Sequence, residues 1–157
     1  PPPQHVAVLV PKNNRVVRAL LRAGADPDMP AEDGASAVYV AALRNQARYL
    51  DTMLGPEGDG DVNFRKVGGA TPLYAAAYNG HVEACKMLMK HGALVDLYKV
   101  GLDGGFTPLF AAAECGHAPV VHALLAGGAN PNTVDYRGAS ALFIACCENQ
   151  VGSLRAL

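Results

Sequence analysis

In VEACKMLMK, residues 82–90, Val82, Cys85, Leu88 and Met89 fall at helical spacing on one face, while Glu83, Lys86 and Lys90 fall outside it. The pattern predicts an amphipathic helix, stopped by Gly92-Ala93. The preceding stretch, TPLYAAAYNGH (71–81), predicts a shorter helix. Thr71 is a good N-cap, and Pro72 loses nothing at the first helical position, where its missing N–H had no partner. Ala75–Ala77 keep one helix face thin, so a neighbouring element can approach closely. Gly80 ends the helix, because glycine takes the left-handed conformation without penalty.

The same unit returns. TPLFAAAECGH fills 107–117, and two looser copies, SAVYVAALRNQ and SALFIACCENQ, fill 36–46 and 140–150. The copies start at Ser36, Thr71, Thr107 and Ser140, so the spacings are 35, 36 and 33 residues. A second signal marks the end of a unit: LLRAGADPD (20–28), LMKHGALVD (88–96) and LLAGGANPN (124–132). Ser36 and Ser140 keep the cap and lose the proline. The stop is Gly80, Gly116, Asn45 or Asn149, and Gly and Asn are the residues that most readily adopt positive φ. That column is a backbone requirement seen in four copies. Repetition at a fixed distance predicts a stack of similar units rather than one closed core.

Together the copies read T/S-P/A-L/V-aromatic-x-A-A/C-x-x-G/N-H/Q, then a helix, then G-A-x-x-D/N. This resembles the ankyrin repeat, with its period of about 33 residues and its T-P-L-H-x-A signature, over nearly the whole chain. The resemblance implies an all-α solenoid of stacked helix-turn-helix units with β-hairpin or loop fingers. The expected organisation is a single domain, 1–157. Residues 1–30 form a degenerate first repeat whose second helix is Arg15–Ala23, followed by repeats at 31–65, 66–101, 102–134 and 135–157. Leu157 aligns with Leu88, in the middle of a helix, and neither end carries the polar cap a solenoid needs; the chain is therefore expected to be a piece of a longer array. Two insertions, GPEGDG (55–60) and YKVGLDGG (98–105), are both expected in the fingers. The family's histidine after T-P-L is replaced by Tyr39, Tyr74, Phe110 and Phe143, for which packing as an aromatic ladder is expected and ligand stacking is the alternative.

Composition narrows the function. Half the residues are apolar, 17% are charged, and Lys+Arg 13 against Asp+Glu 14 leaves a net charge of -1. No bulk charge or basic run draws the chain to nucleic acid or an anionic membrane. No apolar stretch approaches the ~20 residues that span a bilayer. Cys85, Cys115, Cys146 and Cys147 form no C-x-x-C pair, and four cysteines in 157 residues are not a disulfide framework. They read as reduced thiols in an intracellular, cytoplasmic setting.

Chemistry is sparse. Asp59, Asp61 and Asn63 mimic the start of a calcium loop, but Phe64 stands where glycine is needed and Ala70 where the bidentate glutamate belongs. His81 and His117 share a column with Gln46 and Gln150. Glutamine is a poor metal ligand and a good hydrogen-bonding substitute for histidine, so the role is structural. Cys115 and Cys147 lack a basic neighbour to lower their pKa. No P-loop, G-x-S-x-G or H-E-x-x-H is present. The chain is expected to be no enzyme, with no cofactor and no metal.

What the resemblance implies instead is a protein-binding module. Family contacts lie at the finger tips and at the exposed end of each first helix. By alignment the finger residues are Glu32, Asp33 and Ala35; Val67, Gly68 and Ala70; Asp103, Gly104 and Phe106; and Tyr136, Arg137 and Ala139. The helix-end residues are Leu43 and Arg44; Tyr78 and Asn79; Glu114 and Cys115; and Cys147 and Glu148. Interface energy concentrates in aromatics and arginine, so Arg44, Tyr78, Phe106, Tyr136 and Arg137 are the expected anchors, with packing between fingers as the alternative for each. The expected function is a scaffold or adaptor for an unidentified protein partner. Alternatives are a regulatory or targeting segment of a larger enzyme, ubiquitin-ligase adaptor or channel, and a spacer stack without a partner.

Overall fold

The computed structural model describes residues 14–99 and 105–157. Nine helices occur among the described residues: α1 Asn14–Arg22, α2 Ala37–Leu43, α3 Ala47–Leu54, α4 Pro72–Tyr78, α5 Val82–Lys90, α6 Pro108–Glu114, α7 Ala118–Ala126, α8 Ala141–Cys147 and α9 Val151–Ala156. No named strand occurs among these residues; isolated bridges join Lys99 to Phe106 and Val134 to Ser140. The fold is all-α.

Local sequence explains the helix ends. The hydroxyls of Ser36, Thr71, Thr107 and Ser140 accept from the backbone N–H three residues on, at 3.1–3.2 Å. Each satisfies an orphan donor of α2, α4, α6 or α8. At the stops, Asn45 (φ 55°), Gly80 (75°), Gly116 (76°) and Asn149 (54°) are all left-handed. The alanines behind each cap are buried, which lets α2, α4, α6 and α8 pack side by side in one layer. Helices α1, α3, α5, α7 and α9 form a second layer, each against its neighbours in the row, and α3, α5, α7 and α9 each also against the first helix of its own repeat. The contacts run between adjacent repeats, as in a quasi-one-dimensional solenoid.

The core runs between the layers. Leu50, Met53, Leu73, Leu88, Leu109 and Leu124 are fully buried, each contributing about 1.5–3 kcal/mol of transfer free energy. Polar ties add register. His81 Nε2 lies 3.0 Å from the Leu43 carbonyl and His117 Nε2 lies 3.1 Å from the Tyr78 carbonyl, while Gln150 Nε2 donates to the Glu114 carbonyl at 3.1 Å. Glutamine thus takes over the histidine's bond to the previous first helix. A second row joins the loops after the second helices. Asp28 accepts from the Asp61 N–H, Asn63 from the Leu94 N–H and Asp96 from the Asn130 N–H.

One sequence expectation fails here. GPEGDG (55–60) is not in a finger. The finger closes through Lys66 N–H to the Ala70 carbonyl, whereas the insertion directly follows α3 and folds back on the second-helix layer. Glu57 pairs with Arg18 (3.3 Å) and Arg22 (3.0 Å) of α1. Gly58 approaches the Met53 carbonyl so closely that a Cβ would lie 2.4 Å from it. The physical reason is that extra residues between two helices can enter either of two loops, and these contacts select the one beside α1.

Candidate protein-binding surface

The first-helix layer and the fingers bound one face. Three fingers are short turns closed at the base by Ala31 N–H to Ala35 O, Lys66 N–H to Ala70 O and Asp135 N–H to Ala139 O, and Lys99 N–H donates to Phe106 O at the base of the other. Carboxylates stiffen two of them. Asp33 accepts from the Ala35 N–H, and Asp135 accepts from the N–H groups of Arg137 and Ala139.

Glu32, Asp33 and Val67 are exposed, Val67 by 75%. Asp33 holds Lys66 at 2.9 Å, and that hydrogen bond keeps its carboxyl below the usual range. Ala35 and Ala70 are buried beneath the fingers. Leu43 and Arg44 are exposed at the end of α2, and Tyr78 is 48% exposed at the end of α4. Asn79 is exposed, but its amide donates to the Ala75 carbonyl and is committed to ending its own helix. Tyr136 and Arg137 are exposed together, the guanidinium 4.9 Å from the ring centre. Glu148 is exposed, whereas Glu114 is half-buried, and burial followed by the charge of Glu148 pushes its carboxyl up. Asp103 and Gly104 lie outside the described residues. Cys115 is half-buried, and burial followed by Glu114 pushes its thiol up, the opposite of activation.

Phe106 is placed differently from the expected exposed tip. It is half-buried at a finger base, and its ring packs on Phe110 at 4.8 Å between centres. It is bound there because its backbone closes the hairpin with Lys99.

The aromatic column also departs from a ring-on-ring ladder. Its ring contacts run within a repeat, Tyr74 to Tyr78 and Phe106 to Phe110. Between repeats, the lysine at the next finger's base covers the ring. Lys66 Nζ lies 5.4 Å from the centre of Tyr39, and Lys99 Nζ lies 5.6 Å from that of Tyr74. At the corresponding register the last finger has Asp135, and the residue before it in the column is Phe110. Phe143 is 57% exposed, because α6 is the only first helix packed on α8 among the described residues. Sequence reasoning missed both lysines, which belong to no motif column.

Two hollows result. One, of about 430 Å³, is lined by Tyr39, Lys66, Val67, Gly68, Ala70, Tyr74, Tyr78 and Lys99. The other, of about 500 Å³, is lined by Phe106, Phe110, Glu114, Asp135, Arg137, Gly138, Ala139, Phe143 and Ile144. Neither brings together a nucleophile, a base and an orienting group. No cluster of metal-ligating side chains occurs among the described residues, and none of their helices is long and apolar enough to cross a membrane.

Comparison with known proteins agrees with this architecture. The chain is 32% identical over 142 residues to the B-cell lymphoma 3 protein homolog of Mus musculus, covering 89% of this chain and 31% of that one. It is 30% identical over 153 residues to potassium channel AKT2/3 of Arabidopsis thaliana, covering 97% of this chain and 18% of the channel. Protein PhlB of Serratia liquefaciens is 44% identical over 78 residues, 49% of this chain and 34% of PhlB. The chain thus spans about a third or less of these relatives. The ankyrin-repeat family profile (three copies) matches residues 5–99 and 94–157. Matched along nearly its whole length, and built of capped helix pairs tied in register, the chain belongs to the ankyrin-repeat family.

Proposed function

We propose that this chain is a non-enzymatic scaffold or adaptor module that holds an extended segment of a partner protein against the face made by the first helices and fingers. One observation carries the reading: large side chains suited to be anchors, Tyr78, Tyr136, Arg137 and Phe143, stay exposed on that face beside two hollows. Glu32, Asp33, Leu43, Arg44, Val67, Glu114 and Glu148 form the surrounding rim. Phe106 supports the second hollow from below. Free cysteines at 85, 115, 146 and 147 suit an intracellular site.

The test is affinity capture from lysate with three forms: the natural chain, Tyr78→Glu with Tyr136→Glu, and Lys86→Glu on the outer face of α5. Circular dichroism would confirm that each is folded. A partner lost with the first variant and kept with the second supports the reading. Capture indifferent to both variants removes this face as the working surface. A second reading treats the same face as the regulatory or targeting segment of a larger enzyme, ubiquitin-ligase adaptor or channel. The 18% share of the potassium channel that the match covers favours it, and the partner would then lie in the same polypeptide.

A further inference from the structure

The hollow between α2 and α4 is unlike the rest of the face. Its charged groups are all cationic. Lys66 and Lys99 line it, with Tyr39, Tyr74 and Tyr78, and no carboxylate does. The ammonium groups are drawn over ring faces at 5.4 and 5.6 Å, which orders them, and Lys66 spends one N–H on Asp33 and keeps two of its three. Lys66 shares its charge with Asp33 at 2.9 Å. Lys99 has no carboxylate within ion-pair distance among the described residues. Burial raises the Tyr74 hydroxyl to about 12 and raises that of Tyr39, so both phenols stay neutral and able to donate.

The hollow between α6 and α8 has the opposite character. Three phenylalanine rings line it, and its charged lining is two carboxylates, Glu114 and Asp135, against one guanidinium, Arg137, with Glu148 close to Glu114. It suits an apolar side chain, and its carboxylates outnumber its single cation.

Building on the binding face proposed above, we infer that the partner is an acidic peptide segment, whose aspartate or glutamate enters the Lys66–Lys99 hollow while an apolar side chain enters the Phe110–Phe143 hollow. The charge difference sets the direction: the acidic residue lies toward the N-terminal repeats. Two repeat steps of about 8–10 Å separate the hollows, and an extended chain rises about 3.3 Å per residue. The two anchors are therefore about five or six residues apart.

The probe is a phage-displayed library of random 12-residue peptides, selected on the natural chain and on three folded variants. These are Lys66→Gln with Lys99→Gln, Lys66→Glu with Lys99→Glu, and Phe143→Glu with Tyr78→Glu. Individual peptides are then measured by fluorescence anisotropy. The expected result is enrichment of an acidic and an apolar position at that spacing, with affinity about tenfold weaker on the glutamine variant. The glutamate variant should select lysine or arginine at the acidic position and keep the apolar one. Peptides without an acidic preference, or with one indifferent to the lysine changes, overturn this inference; if the Phe143 and Tyr78 variant still abolishes them, the binding face itself stands. Peptides that bind all variants equally, or failure to enrich any peptide, overturn both.

Discussion

Gly80→Ala tests whether neighbouring repeats are locked together through the end of each first helix. Gly80 has φ 75°, where an L-residue costs about 1–2 kcal/mol. A Cβ at this position would also lie 2.8 Å from Nδ1, 2.9 Å from Cε1 and 3.0 Å from Cγ of His117. Since three ring atoms are crowded at once, the ring must move as a body, and it then leaves the Tyr78 carbonyl, 3.1 Å from its Nε2. Losing that bond costs about a further 1 kcal/mol. The sum is about 2–3 kcal/mol, or about 4–12 °C in Tm at this chain length. Urea unfolding followed by circular dichroism, in a cycle with His117→Ala, separates the parts. Without the ring, Gly80→Ala should cost only the backbone component, a coupling of about 1 kcal/mol. Gly80→Asn should be cheaper than Gly80→Ala in backbone strain, because Asn45 and Asn149 occupy this slot at φ 55° and 54°. Equal penalties with and without the histidine, or a total below about 0.5 kcal/mol, would refute the locking argument.

Three further outcomes are expected. Leu109→Ala, at a fully buried site between adjacent repeats, should cost about 2–5 kcal/mol in urea titration; a melting change under about a degree would show that the position is not core. Asp51 joins α3 to α5 through Lys90 (2.9 Å) and His91 (3.0 Å), and these hydrogen bonds hold its carboxyl below the ordinary 3.8. A depressed acid stabilises the fold above its unfolded-state value and loses the effect as pH falls through the folded-state one. Asp51→Asn should therefore lower the unfolding free energy at neutral pH by about 0.2–1 kcal/mol for a largely exposed pair, and the gap should close as pH falls below 3.8; a gap that persists in acid contradicts the pairing. Iodoacetamide followed by mass spectrometry should label exposed Cys146 and Cys147 first, and Cys85, buried and pushed up to about 12, only on unfolding.

The sequence by itself was enough for whatever depends on contacts a few residues long. The caps at Ser36, Thr71, Thr107 and Ser140, the left-handed stops at Gly80 and Gly116, and the exchange of His117 for Gln150 were all readable, because each is set within the motif or recurs at one motif column. From their fixed spacing the stack of helix pairs followed. Side chains meeting across repeats at no conserved spacing were not readable. Nothing local says that GPEGDG turns toward Arg18 and Arg22 rather than into a finger, or that Lys66 and Lys99 cover Tyr39 and Tyr74. Those relations depend on how far one repeat is shifted and rotated against the next. That offset is set jointly by the buried leucines and the hydrogen bonds between neighbouring repeats, so only the assembled tertiary structure decided which charges and rings share a hollow.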